Sequence, residues 1–334
     1  MKLLILTDHR GHTANNSLYA ITRALVADER VGEVRIASRG TAANASFYTC
    51  SPSGKTLPLH ATRASDEFAF DAQGSCFDES RLTPTPLTWP DLVFLRIPHP
   101  VPDDWFTYLR EAFAKTRIIN RPEGIAATTS KEWLLNVPEL CAPMQLCASP
   151  TAVQAFAKTR PSVLKPLAGY GGIGILRAGE AGVQVGSKTV TWREWPNHGL
   201  AQQPYLAVEF LPRVSEGDKR IVVVDGEVIG AVLRVPAEGH WLANVSQGAH
   251  AEPAELSFAE RRIVDALAPH MNALGIVMYG IDTLIGNDGQ RVLSEVNTMS
   301  VGGVTDLPPA NGRTAAQRTA AALLRAAPPN SGPR

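Results

Sequence analysis

Little in this chain points to disulfides or a thiolate metal site. Its 334 residues hold four cysteines, at positions 50, 76, 141 and 147, with no CxxC pair and no histidine cluster at ligand spacing beside them. They are expected to be reduced thiols, mostly core fillers. Surplus charge is missing as well: 32 Lys and Arg balance 32 Asp and Glu, so neither a nucleic-acid footprint nor a polybasic membrane patch is implied. Long apolar runs are also lacking. The opening MKLLILTDHRGH is too short in apolar residues for a secretion signal, and no later run approaches a membrane span. These absences lead to an expectation of a cytoplasmic protein acting on small molecules, without nucleic-acid or membrane partners. Homo-oligomer formation stays open, because an apolar surface cannot be read from sequence.

What is present is 44% hydrophobic residues, enough for the cores of two or three modest domains. Strand and helix signals alternate through the first third. KLLILTD reads as a buried strand, followed by a loop and then Ser17 as the expected N-cap of LYAITRALV. GEVRIAS and DLVFLRI read as further strands, the latter followed by the helical run DDWFTYLREAF. This is an α/β domain with a mostly parallel sheet. Ligands of such sheets bind beyond the carboxyl ends of strands, which nominates His9, Arg10, Gly11 and Arg96. Position alone fits solvated loop residues equally well.

From about residue 120 the texture changes. A helix is expected near SKEWLLN, a strand at PSVLKPL, then a glycine-rich stretch and two hairpins, KRIVVVDGEVIGAVLRV and GIVMYGIDTLIGNDGQRVLSEVN. Asp225-Gly226 and Asp288-Gly289 are the expected two-residue turns, with the helix FAERRIVDALAPHMNAL between the hairpins. This part is α+β with an antiparallel sheet. The tail after Leu324 has no periodic apolar pattern and is expected to fray.

In the second hairpin, counting back from Asp288-Gly289 puts Asp282 opposite Glu295, with Asn297 two residues on and on the same face. Directly opposed carboxylates destabilise a sheet unless a cation or an arginine compensates. Two carboxylates and a carboxamide suit Mg²⁺, which takes oxygen ligands, water and substrate phosphates; a lone solvated carboxylate is the blander reading.

VLKPLAGYGGIGIL adds Lys165 at a strand end, then Gly169, Gly171, Gly172 and Gly174. Clustered glycines let backbone N–H groups close on phosphate oxygens, and a lysine adds point charge. The pattern is neither a Walker loop nor a placed dinucleotide fingerprint, and the glycines alone fit a plain turn as well. Glu209-Phe210-Leu211 is an extended edge able to offer backbone groups to an adenine, and Asp218 suits ribose hydroxyls. Arg220 and Arg234 are candidate phosphate clamps. A plain turn at Asp225-Gly226 leaves these arginines on opposite faces, whereas a one-residue bulge brings them together.

The order of these motifs, from INRPEG at 119–124 to VNTMS at 296–300, resembles the ATP-grasp superfamily of carboxylate–amine ligases, and within it the bacterial glutathione synthetases. The resemblance implies an ATP-grasp fold, divided into an N-terminal domain over 1–120, a central lid over 121–200, a catalytic domain over 201–325 and a tail over 326–334. It implies Lys131 and Lys165 as nucleotide-binding lysines, Gly169 to Gly172 as the loop over the phosphates, and Glu209, Phe210 and Leu211 around adenine with Asp218 on the ribose. Arg220 and Arg234, with Gly171 and Gly172, would serve the transferred phosphoryl group. Asp282, Glu295 and Asn297 would hold Mg²⁺, as two ions bridged by Glu295, with Mn²⁺ as an alternative. Arg10, Arg96, Asn244, Ser300, Gly302 and Gly303 are the substrate candidates.

The implied reaction is amide formation through an acylphosphate, from ATP, a dipeptide or amino-acid carboxylate and an amine such as glycine. The pair expected first is γ-glutamylcysteine and glycine. A ligase for a different pair and a nucleotide-binding protein without catalysis are the alternatives. Two departures bear on the substrate: Leu242 stands where those synthetases carry an arginine two residues before the asparagine, and SVGGVTDLP replaces a TSPT-like run.

Overall fold

The computed structural model describes residues 1–49, 59–169, 172–236 and 250–327. The first sheet contains β1 (Lys2–Thr7), β2 (Glu33–Ser38), β3 (Leu59–Arg63), β4 (Leu82–Thr85), β5 (Leu92–Arg96) and β6 (Arg117–Ile119) in the order β4-β3-β2-β1-β5-β6. The pairs β1-β2, β1-β5 and β5-β6 are parallel, and β3 and β4 extend the sheet antiparallel. Helices α1 (Ser17–Val26), α2 (Ala45–Thr49) and α3 (Asp103–Ala112) belong to this region. α1 is capped by Asn16, whose side chain accepts from Leu18 N, not by Ser17. Ser17 is buried, and its hydroxyl accepts from Val304 N at 3.2 Å, a partner that local pattern could not supply.

α4 (Pro122–Thr129) leads on to the second sheet, and the expected helix at SKEWLLN is a 3-10 turn over Lys131–Asn136. β7 (Met144–Cys147), α5 (Pro150–Thr159), β8 (Ser162–Pro166), β9 (Leu176–Gly179), β10 (Gly182–Val185), β11 (Lys188–Thr191) and β12 (Tyr205–Glu209) follow. The six strands form an antiparallel sheet ordered β11-β10-β9-β8-β12-β7, so Tyr205–Glu209, beyond residue 200, pairs here. Its core of Phe156, Leu164, Trp195 and Tyr205 is its own.

The third sheet is ordered β15-β14-β13-β16-β17, from β13 (Asp218–Val224), β14 (Glu227–Val235), β15 (His250–Ala254), β16 (Met278–Ile285) and β17 (Arg291–Asn297). Helix α6 (Phe258–Leu274) lies between β15 and β16, and α7 (Ala315–Ala326) ends the described chain. Core residues of this sheet merge with those of the first: Ile221 and Ile281 share a cluster with Leu4 and Trp105, and Val222 and Met278 share one with Leu3 and Ile21. Of the cysteines described, Cys147 is buried and Cys76 and Cys141 are only partly so, all three as free thiols. Among the described residues no helix is long and apolar enough to cross a membrane.

Candidate functional site

The site begins with two register shifts. In the first hairpin Asp225 and Gly226 turn with φ of 52° and 74°, the left-handed geometry of a tight two-residue turn. Val224 pairs Glu227, but a shift between Val222 and Val223 then sets Arg220 opposite Val232 and Asp218 opposite Arg234. That bulge puts Arg220 and Arg234 on one face. In the second hairpin the expected turn is corrected. Gly286 N donates to Gln290 O at 2.7 Å, so the loop holds Asn287, Asp288 and Gly289, and Ile285 pairs Arg291. A second one-residue shift between Asp282 and Thr283 cancels this offset, and Asp282 faces Glu295 after all, with Asn297 opposite Gly280.

The residue skipped by that shift is Ser294. Its carbonyl and its hydroxyl both accept from Lys165 Nζ at 3.1 Å, so the bulge turns a strand residue into an anchor for Lys165. Lys165 is lowered from the usual lysine range by burial first, then by Lys131, against the opposing pull of Glu295. Lys131 Nζ donates to Gly169 O, tying the glycine loop to the 3-10 turn. Gly172 and Gly174 have φ of 76° and 75°, where side chains are strained. Gly171, Leu242 and Asn244 lie outside the described residues.

Asp282 is the electrostatic centre. Arg220 donates to both of its oxygens, through Nε and, at 2.8 Å, through Nη2; Arg234 Nη2 lies 3.0 Å away and Asn297 Nδ2 donates at 3.1 Å. Burial alone would raise this carboxyl, but the two guanidinium groups hold it well below the usual carboxylate range. Arg234 also grips Asp218, donating through Nε at 2.8 Å and through Nη2. Burial and the neighbouring Asp282 charge push Asp218 up to about 6. The compensation required by opposed carboxylates is thus supplied by Arg220 and Arg234.

Beside this cluster opens a cavity lined by Val163, Lys165, Gly172, Ile175, Glu209, Phe210, Leu211, Asp218, Leu293 and Glu295. Its interior holds about 120 Å³, widening to about 860 Å³ with the open mouth. Glu295 also lines a smaller pocket with His99, Ser130, Lys131 and Asn297, so one carboxylate borders both spaces. The backbone N–H groups of Glu209 and Phe210 are taken by Pro143 O and Pro161 O at 2.8 Å. Phe210 carries Arg177 over its ring at 4.2 Å.

The substrate candidates divide. Arg96 is buried at the end of β5, with Nη1 donating to Val301 O at 2.6 Å, while its Nε has no partner among the described residues. Burial lowers it to about 10. Ser300 and Gly303 have φ of 52° and 91°, and a Cβ on Gly302 would meet nothing within 4 Å. Arg10 points largely into solvent and is held by Asp8, as is Arg39. Residues that sequence reasoning missed include Ser294, His99 and Asn120, whose side chain bonds Val277 N, Met278 N, Met278 O and Thr298 O. A strand-period reading puts Ser294 on the face opposite Glu295, which hid it.

Residues 130–312 match the family described as prokaryotic glutathione synthetase, ATP-grasp domain. The chain belongs to this family. It is an ATP-dependent ligase of the ATP-grasp type. Similar relatives include the glutathione synthetase of Parasynechococcus marenigrum (strain WH8102), 37% identical over 65% of this chain and 69% of that one. Another is the glutathione synthetase of Prochlorococcus marinus (strain MIT 9313), 35% identical over 72% and 76%. Among solved structures, D-cycloserine synthetase DcsG superposes with a TM-score of 0.62 at 14% identity, over 97% of this chain and 98% of that one. The ATP-grasp ligase PsnB, complexed with a minimal precursor, Mg and ADP, gives 0.58 at 16%, over 98% and 97%. At these identities the two structures speak for the fold.

Proposed function

We propose that this ligase joins the carboxylate of γ-glutamylcysteine to the amine of glycine, consuming ATP and releasing ADP and phosphate. The substrate pair rests on the likeness to glutathione synthetases, and the observation that supports the chemistry is the pair of register shifts that gather Arg220, Arg234, Asp282, Glu295 and Asn297 beside one cavity. ATP would lie in that cavity, its adenine at Glu209 to Leu211, its ribose at Asp218 and its phosphates under Lys131, Lys165 and the loop from Gly169 to Gly172.

Among the described residues no three His, Cys, Asp or Glu side chains form a metal-holding group. The set here is two carboxylates, Asp282 and Glu295, with the Asn297 amide, and it fits Mg²⁺, which takes few protein ligands and completes its shell with phosphate and water. Bound there, Mg²⁺ would neutralise phosphate oxygens.

The chain's own residues do the rest. A donor carboxylate oxygen attacks the γ-phosphorus, the bond to the bridging oxygen breaks, and ADP leaves. Arg220 and Arg234 hold the phosphoryl oxygens as charge shifts. The amine then attacks the acyl carbon, phosphate departs with the acyl C–O bond, and the amine loses a proton. Acylphosphates hydrolyse, so the glycine loop also excludes water. Arg96, Ser300, Gly302 and Gly303 would receive the substrates, the glycines through close backbone approach.

The test is ADP release with MgATP, donor and acceptor varied separately. Release requiring γ-glutamylcysteine and glycine together, with glutathione identified by mass, supports the reading. Release that needs Mg²⁺ and another pair replaces the substrates and leaves the reaction type. The departure at Leu242 makes that second panel worth including.

A further inference from the structure

Behind the site, on the other face of the third sheet, lies a cluster of buried charges that the reaction does not use. Glu260, on the first turn of α6, is fully buried. Its Oε2 accepts from Lys219 Nζ at 2.8 Å, Ser257 N at 2.8 Å and Ser257 Oγ at 2.9 Å, and its Oε1 accepts from Thr283 Oγ1 at 2.9 Å. Arg291 Nε stands 3.7 Å from Oε1. The Arg291 guanidinium also donates to Thr283 O at 3.0 Å and to Gly217 O at 3.4 Å.

Each strand residue held this way is a chain neighbour of a residue in the site. Gly217 and Lys219 flank Asp218, Lys219 precedes Arg220, and Thr283 follows Asp282. Side chains alternate across a strand, so a grip on 219 and 283 from behind sets the directions of 218, 220 and 282 in front. Thr283 also borders the register shift that leaves Ser294 to hold Lys165 and brings Glu295 opposite Asp282. A bulge is held by what surrounds it, and here the surroundings include a carboxylate whose loss leaves Lys219 with the Glu255 carbonyl and Arg291 with the Thr283 and Gly217 carbonyls, and neither with a counter-charge bonded to it.

We infer that Glu260 is a positioning residue: through Thr283, Lys219 and Arg291 it holds the bulge that aims Asp282, Glu295 and Lys165 at metal-bound nucleotide. The inference rests on the Mg²⁺ and nucleotide reading above. A plain alternative is that Glu260 only completes the capping box of α6 with Ser257. Both use Oε2, and they separate at Oε1, which Thr283 and Arg291 engage and the cap does not.

The experiment is calorimetric titration of ADP into the full chain over a range of Mg²⁺ concentrations and in excess chelator, with melting followed in parallel. Removal of an outer partner typically costs about tenfold or more in metal affinity. Glu260→Gln is therefore expected to raise the Mg²⁺ concentration for half-maximal tightening about tenfold, with ADP affinity in chelator within about twofold of wild type. Thr283→Val, close in shape and lacking the hydroxyl, should move it about threefold in the same direction. Ser257→Ala removes the cap hydroxyl and one bond to Oε2 while leaving Thr283 and Arg291 on Oε1, so it should lower the melting temperature and move the Mg²⁺ dependence less than Thr283→Val does.

If Thr283→Val binds as wild type does across the Mg²⁺ range, the inference is overturned, including the case in which Glu260→Gln fails to fold. It is overturned equally if Ser257→Ala shifts the Mg²⁺ dependence as much as Thr283→Val. Wild-type ADP binding that ignores Mg²⁺ would instead sink the functional reading itself, and this inference with it.

Discussion

The sheet of β7 to β12 and the sheet of β13 to β17 form opposite walls of one cavity and hold their chemistry differently. The first has a core of its own and contributes Lys165 with a glycine loop whose Ile173 is 78% exposed. The second shares its cores with the N-terminal sheet, and Arg220, Arg234, Asp218 and Asp282 are mutually paired in front of it. The charges proposed to meet a transferred phosphoryl group sit where two layers fix the backbone. The glycine loop and Lys165 sit on a sheet with a second core, joined to the first through Leu206 and through the Lys165–Ser294 bonds.

The largest expected break of that contrast is Asp282→Asn. It strips the shared partner from two buried guanidinium groups, so turnover should fall by about 10³-fold or more and the melting temperature should drop as well. Steady-state ADP release and calorimetry read the two losses. Glu295→Gln should cost about 10²-fold in kcat, with a melting temperature close to wild type, because among the described residues Glu295 anchors no ion pair as Asp282 does. On the opposite wall, Lys165→Met should act through binding, raising KM for ATP about tenfold with a smaller change in kcat. Equal losses in kcat and in kcat/KM would count against the proposed division of labour.

Gly172→Ala sharpens the comparison, since a side chain at its positive φ is strained. A penalty of about 1 kcal/mol should appear as a melting temperature lower by about a degree or two where the free loop keeps this φ, and as roughly fivefold weaker ATP binding where the φ is taken up only around nucleotide. The smallest effect is a pH dependence. Asp218 is raised from 3.8 to about 6, so its contribution to stability is complete below 3.8 and is lost as pH climbs through about 6. Asp218→Asn should remove that slope, so its melting temperature gains a few degrees on wild type between pH 4 and pH 7.

Much of the site could be read before the fold was known, although one step reached the right facing by a wrong route. Asp282 does oppose Glu295, but through a three-residue turn and a compensating bulge instead of a two-residue turn. The two offsets cancel in the pairing and leave a trace only at Ser294. The strands Leu176–Gly179, Gly182–Val185 and Lys188–Thr191 went unseen because each is four residues long, too short for a periodic signal. The Arg220 and Arg234 question was posed in sequence as a choice of register, and only pairing distances answered it.

By itself, the sequence determined what local chemistry governs: the Asp225-Gly226 turn, the capping box of α6, the glycines that tolerate positive φ, and the residue types of the site. Only the tertiary structure decided which strand lies beside which, where the bulges fall and which charges meet. Turns and caps are closed by residues three or four apart. Lys219 meets Glu260 across 41 positions and Arg220 meets Asp282 across 62, distances over which alternation along one strand carries no information about its partner.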